Sequence, residues 1–308
     1  MATADPRNGG RELPDPTHGC AIVKAEMRTE VKSSVKRRRS YSTALRAGVA
    51  IVVTLVAISP ILWMVSTAFK TGNQAFSTNT QWFFTPTLDN FITVLTGTNF
   101  GPALINSIQV SVISTLIALV LGSGIAYPMA RFNLPWKQGL AGTILSLRIV
   151  PPIVTIIPLF LVMRTIGLNG TLISIITLHV FMNLPLAIWL LRGFYEDVPM
   201  EIEEAAQMDG LGHFSTFVRI VLPLAMPGVA STALLCFVFS WNEFLFASIL
   251  SNASSQTATV ALTQYVTPVG MQWTQIMAAG TLVAIPVWIA ALSAQKYLVR
   301  GLSFGAVK

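Results

Sequence analysis

Carboxylate side chains are concentrated in one short polar segment of an otherwise apolar chain. Residues 193–219 hold six of the thirteen Asp and Glu residues, although only 11% of the 308 residues are charged. Two small residues, Ala205 and Ala206, lie among them. Small side chains permit close approach of another protein, and carboxylates pair with its basic groups. The pattern therefore fits a docking surface and an ordinary solvated amphipathic loop equally well. The six acids are Glu196, Asp197, Glu201, Glu203, Glu204 and Asp209.

The same segment carries the local signals of a short helix. Asp197 is suited to cap its start, and Pro199 suits its first turn. Gly210 and Gly212 then end or bend the helix. A second short helix is expected from about Phe214.

Two charged residues lie within long apolar runs, where charge is costly and often marks a pathway. Arg148 lies near the middle of one run, just before Pro151 and Pro152, which lack backbone donors. We expect Arg148 either to face a pathway and hydrogen-bond solute hydroxyls, or to pair with a carbonyl or an acid at a subunit interface. Glu243 lies near the outer end of another run. With Asn242 it is expected to line an outer gate, contact a binding protein, or serve as a plain interfacial cap.

His179 and Asn183 lie four residues apart and therefore share one face of a predicted helix. They form either a polar contact between helices or a cavity wall. A membrane-embedded enzyme would need a catalytic cluster at one depth, whereas Arg148 and Glu243 are predicted at different depths. No His/Cys cluster in the sequence suggests a metal.

Six apolar stretches of about 20 residues, the length needed to cross a bilayer, must position these side chains. The predicted fold is an all-α membrane protein with six transmembrane helices. Seventeen of the twenty Lys and Arg residues then lie on one side and two on the other, with Arg148 inside the third span. This asymmetry places both termini in the cytoplasm. The predicted spans are 47–69, 104–127, 140–163, 172–191, 222–246 and 276–295.

The connecting segments then have predicted locations. Residues 70–103 form an extracytoplasmic loop, residues 193–219 a cytoplasmic loop, and residues 249–275 a second outside segment. Ten of the twenty basic residues precede the first span. Residues 1–45 are therefore predicted to be a basic, disordered cytoplasmic tail that anchors the span, rather than a nucleic-acid-binding arm or a cleavable signal peptide. Residues 297–308 form a cytoplasmic C-terminal tail.

The order of residues in the cytoplasmic loop resembles the EAA loop of type I ABC importer permeases. The Glu-Ala-Ala triplet is followed after three residues by a glycine, and after nine more by Ile, one residue, and Leu-Pro. Every fixed position of the family pattern is met at its spacing. The matched residues are Glu204, Ala205, Ala206, Gly210, Ile220, Leu222 and Pro223.

This resemblance implies a short coupling helix that sits in a cleft on a separate ATPase subunit. The docking element would run from Glu203 through Asp209 to Gly210, and Ile220 to Pro223 would seat it on the membrane domain. The family's transmembrane core would occupy residues 104–296, with the EAA loop at 193–223. The chain has no G-x-x-x-x-G-K-[ST] phosphate loop. ATP and Mg are therefore expected on the partner ATPase, with no catalysis by this chain.

The resemblance covers roughly residues 47–308. Over this range the chain is similar to the maltose-type six-span permease of the carbohydrate-uptake branch. The resemblance implies a sugar or polyol as solute, with Arg148, Asn183, Asn242 and Glu243 on its path. The implied partners are a second homologous permease, an ATPase dimer and an extracytoplasmic binding protein, in a bacterial inner membrane. The residues that carry this part of the resemblance are Asn106-Ser107, Ala130-Arg131-Phe132, Trp241-Asn242-Glu243-Phe244 and the ending 300–308.

Two alternatives remain at this point. One alternative solute is an amino acid, a peptide or a phosphate ester, which only the weaker carbohydrate motifs oppose. Arg148 would also suit an anionic sugar. An ion-coupled secondary transporter is compatible with six spans, but the pattern from Glu204 to Pro223 does not fit it. Uptake that depends on ATP and on a binding protein, and not on an ion gradient, separates these classes.

Overall fold

The computed structural model describes residues 46–75, 77, 83–133, 137–267 and 270–304. The predicted basic tail at 1–45 lies outside these residues. The chain divides into two compact units, residues 1–62 and 63–308. Helix α1, Arg46–Ala68, covers the first predicted span. Apolar side chains along its first four turns, such as Val53 and Val56, are exposed.

The remaining helices follow in chain order. They are α2 (Gly72–Ala75), α3 (Asp89–Thr96), α4 (Phe100–Arg131), α5 (Lys137–Ser146), α6 (Pro152–Thr165), α7 (Leu172–Glu196), α8 (Met200–Met208), α9 (His213–Thr216), α10 (Leu222–Leu224), α11 (Met226–Trp241), α12 (Leu245–Leu250), α13 (Ala258–Ala261) and α14 (Trp273–Phe304).

The helical class predicted from the sequence is confirmed. Within the described part of the chain, four helices are long and apolar enough to cross a membrane: α1, α4, α7 and residues 273–296 of α14. A fifth is obtained if the bent pair His213–Leu224 and Met226–Trp241 forms one span. The count of six stays a prediction. Helix α14 continues to Phe304, past the predicted end of the last span.

The third predicted span, 140–163, is not one continuous helix. Helix α5 ends at Ser146, a 3₁₀ turn covers Leu147–Ile149, and α6 begins at Pro152. Val150 and Pro151 between them are extended, because proline disfavours the helical conformation in the preceding residue and lacks an N–H donor. Helix α6 has 14 residues, which is too short to cross a bilayer by itself.

The fifth predicted span, 222–246, is also interrupted. The segments His213–Leu224 and Met226–Trp241 meet at 78°, with Ala225 at the break. Pro223 and Pro227 flank this residue, and each removes one backbone donor from the helical ladder. Helix α11 ends at Trp241, and residues 242–244 form a turn before α12.

The core of the larger unit lies where α4 packs against α7 and α11. One cluster near the C-terminal ends of α4 and α7 includes Ala126, Tyr127, Leu191 and Tyr195, together with Cys236 of α11. A second cluster joins α4, α6, α7 and α12. A third joins α3, α13 and α14 to the start of α4.

The outer connections are tied to the start of α4 by polar contacts. The Asn106 side chain donates to the backbone carbonyls of Ser254 and Gln256, each at 3.0 Å. The Ser107 hydroxyl accepts the Ala258 N–H at 2.7 Å. The same region contains the two-residue antiparallel strands β1 (Val266–Thr267) and β2 (Gly270–Met271). The sequence pattern did not indicate this short hairpin.

Gly228 of α11 provides a test of the α7–α11 packing. A Cβ atom at Gly228 would lie 2.1 Å from Cγ of Phe194, whereas one at Gly124 of α4 would meet nothing within 4 Å. Gly228→Ala is therefore expected to lower the free energy of unfolding by about 1–3 kcal/mol, the usual cost of overpacking. Gly124→Ala should be neutral or stabilising, since alanine favours a helix. Thermal unfolding in detergent compares them, and equal effects of the two variants would contradict the packing.

Candidate docking loop and intramembrane pocket

The acidic segment forms helix α8 directly after α7. Apolar helix α7 continues through Glu196, and an ion pair from Arg192 to Glu196 at 2.9 Å joins its last two turns. Asp197 is consequently the C-cap of α7, and its N–H donates to the Gly193 carbonyl. Pro199 occupies the N-cap of α8. The predicted role of Asp197 as the cap of α8 is therefore wrong, because the preceding helix extends further than expected.

Glu203 points inward rather than toward solvent. It is 3% exposed, and its Oε2 accepts the Tyr127 hydroxyl at 2.8 Å. Its Oε1 accepts the Nε–H of Arg131, whose Nη2 also donates to the Val198 carbonyl at 2.9 Å. We call Tyr127, Arg131 and Glu203 the α4–α8 clamp. It fixes α8 against the end of α4 and commits the Glu203 carboxylate to internal contacts.

The opposite side of α8 is open to solvent. Glu204, Ala205 and Asp209 are exposed, whereas Ala206 is buried against the body of the protein. The described side chains supply no ion pair to Glu204 or Asp209. An acidic face that includes a small residue is thus presented on a helix whose inner side is held by a buried ion pair.

Gly210 ends α8 in a left-handed conformation, with φ of +87°. Its N–H donates to the Gln207 carbonyl at 3.0 Å, and the next N–H, of Leu211, returns to the Ala206 carbonyl at 3.1 Å. A residue with a Cβ adopts this conformation only with strain. The glycine of the motif is therefore explained by the turn that it makes.

Two exposed apolar side chains on this loop were missed by the sequence reasoning. Met208 is 89% exposed and Phe214 is 80% exposed, one on each side of the Gly210 turn. Large apolar side chains at a polar, exposed turn often mark a protein interface. Their signal is present in the sequence, since both are large apolar residues that interrupt a polar segment.

The second half of the motif lies at the bend before α11. Ile220 and Leu222 are half-buried, Pro223 is exposed, and Val221 between them is fully buried. Residues Phe217–Val221 form a π-helical turn. The Phe217 ring packs on Tyr127 of the clamp, with ring centroids 4.6 Å apart. An aromatic contact therefore links the clamp that holds α8 to the π-helical turn in the second half of the motif.

Three of the four residues predicted on a solute path line one cavity of about 140 Å³. They are Arg148, Asn183 and Glu243, and His179 joins them. The prediction that Arg148 and Glu243 lie at different depths is wrong. Counting residues along straight helices misplaced both, because the third predicted span is broken at the prolines and the fifth is bent at Ala225.

The fourth residue, Asn242, does not line this cavity. Its side chain is exposed and donates to the Val238 carbonyl of its own helix at 2.8 Å. It terminates α11 at the C-cap position. The structure therefore separates Asn242 from its neighbour Glu243, since adjacent residues in a turn point in different directions.

The Asn183 side chain holds α7 to α11. Its amide donates to the Ser240 hydroxyl at 2.7 Å and to the Cys236 carbonyl at 3.3 Å. The polar helix contact and the cavity wall, offered as alternatives from the sequence, are both present. Across the described residues, no group of three or more His, Cys, Asp and Glu side chains is placed to hold a metal ion.

Comparisons with known proteins agree with this arrangement. Residues 118–304 match the model of the family described as binding-protein-dependent transport system inner membrane component. The chain is 36% identical over 269 residues to the trehalose transport system permease protein SugB of Mycobacterium tuberculosis, covering 84% of this chain and 96% of that one. It is 33% identical over 261 residues to the diacetylchitobiose uptake system permease protein DasC of Streptomyces coelicolor, covering 84% and 95%.

A solved structure shares the fold. The chain superposes with a TM-score of 0.70 and 22% identity on a chain of a bacterial ABC transporter involved in the import of the acidic polysaccharide alginate, covering 82% of this chain and 95% of that chain. The family match covers more than half of the sequence and contains the candidate docking loop, the bend and α14. The chain therefore belongs to the family of binding-protein-dependent transport system inner membrane components.

Proposed function

We propose that this chain is the membrane-spanning permease subunit of an ATP-driven importer that moves a sugar or a polyol into the cell. The observation that carries the proposal is helix α8, whose inner side is held by the α4–α8 clamp while its outer side is exposed. The two relatives named for trehalose and diacetylchitobiose support a carbohydrate as solute.

The outer side of α8 is proposed to dock on the ATPase. Glu204 and Asp209 would pair with basic side chains of that partner, while Ala205 permits close approach of its backbone. Met208 and Phe214 would fill apolar pockets, since buried apolar anchors supply most of the affinity in such interfaces. Glu203 would act as a positioning residue through the clamp, which revises its predicted role as a contact.

The remaining parts of the importer are proposed from the family. A second homologous permease would complete the pathway, an ATPase dimer would bind ATP and Mg, and an extracytoplasmic binding protein would deliver the solute. The chain has no phosphate-binding loop of its own. Its role would then be non-catalytic.

The proposed mechanism is alternating access between two packed arrangements. Closure of the ATPase dimer moves α8, and the clamp passes this motion to α4. The π-helical turn and the bend at Ala225 pass it to α11, which carries Ser240 at the wall of the cavity. Arg148, Asn183 and Glu243 would then face the solute on its path.

A charge reversal on the docking side tests the proposal. Glu204→Lys is expected to reduce ATP-driven uptake at least about tenfold, because a lysine would face the basic partner and like charges across an interface cost several kcal/mol. Met208→Glu should act in the same direction by placing a charge in an apolar pocket. Asp89→Lys, the same reversal of charge at an exposed acid at the start of α3 and outside this loop, is the control and should retain most activity.

The measurement is solute uptake by proteoliposomes that contain the whole importer, together with the ATPase rate. Loss of uptake with continued ATP hydrolysis is the expected result for Glu204→Lys. Normal uptake in both Glu204→Lys and Met208→Glu would refute docking through this face. Uptake that persists without ATP and stops when an ionophore collapses the ion gradients would instead assign the chain to secondary transport.

A further inference from the structure

The cavity beside α7 and α11 is lined by one carboxylate, Glu243, which makes three contacts within the protein. Oε1 of Glu243 accepts the Phe246 N–H at 2.9 Å, and Oε2 accepts the Ala247 N–H at 3.1 Å. His179 Nε2 lies 3.3 Å from the same Oε2. Glu243 thus caps α12 and contacts the imidazole, so both of its carboxylate oxygens have partners within the protein.

The guanidinium of Arg148 has no such compensation. Its Nη1 is buried and has no hydrogen-bond partner among the residues that the structure describes. The group stacks over the Phe239 ring, with 4.3 Å from Cζ to the ring centroid. No described carboxylate lies within ion-pair distance of it. The half-buried guanidinium therefore lies at the cavity wall without a carboxylate in ion-pair distance, and an anionic group beside it would supply the missing counterion.

His179 supplies a second unused polar atom on the same cavity. The residue is 2% exposed, and its Nδ1 is buried without a partner. Nε2 faces the Glu243 carboxylate, so Nδ1 is the ring nitrogen left for a further hydrogen bond. A ligand that fits this cavity would therefore present an anionic acceptor to Arg148 and a hydroxyl group to His179.

We propose that this cavity binds the acid group of an acidic saccharide, a carboxylate or a sulfonate, during its passage through the importer. The acid group accepts from Arg148 Nη1, and a neighbouring ring hydroxyl forms a hydrogen bond with His179 Nδ1. A cavity of about 140 Å³ accommodates such a group with part of its ring. A neutral sugar would satisfy His179 but would leave the Arg148 charge uncompensated. This inference rests on the proposed function and specifies its solute class.

The test uses the complete importer, with its own binding protein, in proteoliposomes. The probes are digalacturonic acid and its dimethyl ester, which have the same rings and differ in charge. The wild-type importer is expected to carry the acid faster than the ester. Arg148→Gln should reduce transport of the acid by about tenfold to a hundredfold, the range expected for loss of a hydrogen bond to a charged group. Arg148→Lys, which keeps the charge, should recover part of this loss.

Arg164→Gln is the matched control, because Arg164 is exposed at the end of α6 and does not line the cavity. It should transport both probes as the wild type does. Gel filtration of each complex establishes assembly before transport is measured. Unchanged transport of the acid by an assembled Arg148→Gln complex would overturn the proposal. Failure of both Arg148 variants to assemble would also overturn it, because Arg148 would then pair with an acid of another subunit.

The outcomes separate this inference from the proposed function. ATP-dependent and binding-protein-dependent uptake of neutral saccharides alone, with none of the acid, would preserve the sugar importer and reject the acid site. Uptake of no saccharide of either kind would reject the proposed function itself.

Discussion

Glu203→Ala is expected to abolish ATP-driven uptake and to lower the free energy of unfolding by about 3–5 kcal/mol, the usual cost of breaking a buried ion pair. The side chains of Glu203 and Arg131 are 4% and 8% exposed. Removing the carboxylate leaves the Arg131 guanidinium without its counterion and the Tyr127 hydroxyl without its acceptor. Helix α8 would then lose its polar attachment to α4, and motion of the ATPase would no longer reach the spans.

Glu201→Ala is the control for this prediction, because Glu201 is exposed two residues earlier on the same helix. It should change stability by less than about 0.5 kcal/mol, as surface substitutions usually do. Thermal unfolding in detergent and uptake by proteoliposomes give the two readouts. A Glu203→Ala variant as stable and as active as Glu201→Ala would eliminate the clamp as a coupling element.

A double-mutant cycle isolates the pair itself. Arg131→Ala should be destabilising to a similar degree, since it leaves the Glu203 carboxylate buried with the Tyr127 hydroxyl as its remaining side-chain partner. The double variant Arg131→Ala/Glu203→Ala should cost less than the sum of the two single changes, because neither charge is then left unpaired. If the change in the free energy of unfolding of the double variant equals the sum of the two single changes, the two side chains do not interact.

Gly210→Pro is expected to reduce uptake by more than about tenfold while the rest of the chain remains folded. Proline requires a φ near −65°, whereas Gly210 has a φ of +87°. The substitution also removes the N–H that donates to the Gln207 carbonyl. The turn that places Met208 and Phe214 on either side of the proposed docking face could not form, and the proposed contact with the ATPase would lose both apolar side chains.

Two alanine variants separate backbone conformation from side-chain bulk. A Cβ at Gly210 or at Gly212 meets no atom within 4 Å, but Gly212 has an ordinary φ of −73°. Gly210→Ala should therefore lower the free energy of unfolding by about 1–2 kcal/mol, the penalty of the left-handed conformation. Gly212→Ala should carry no such penalty. Equal uptake and equal melting temperatures for these two variants would show that the turn is not needed.

The sequence was sufficient for features set by composition and local chemistry. The length of the apolar runs in α1, α4 and α7 is enough to predict them as membrane spans. Gly210 ends α8, as its residue type predicts. The exposure of Glu204 and Ala205 likewise follows from their place in a polar loop. These properties depend on a few neighbouring residues, and pattern reasoning recovers them.

The features that the sequence did not reveal depend on distant parts of the chain. Nothing near Glu203 indicates that its carboxylate is used internally, because Tyr127 and Arg131 lie more than 70 residues earlier. Arg148 and Glu243 share a cavity only because one predicted span is broken and another is bent. Helix-breaking prolines were visible in the sequence, but the direction taken after each break is decided by tertiary packing.

The α4–α8 clamp also constrains how this protein can evolve. Arg131 and Glu203 are encoded by separate stretches of the gene, so a single mutation changes only one of them. Each single loss is expected to cost about 3–5 kcal/mol, a large share of the 5–15 kcal/mol that typically keeps a domain folded. Replacement of this pair during evolution would therefore require earlier substitutions that stabilise the rest of the permease. Only then could Arg131 and Glu203 be exchanged one at a time.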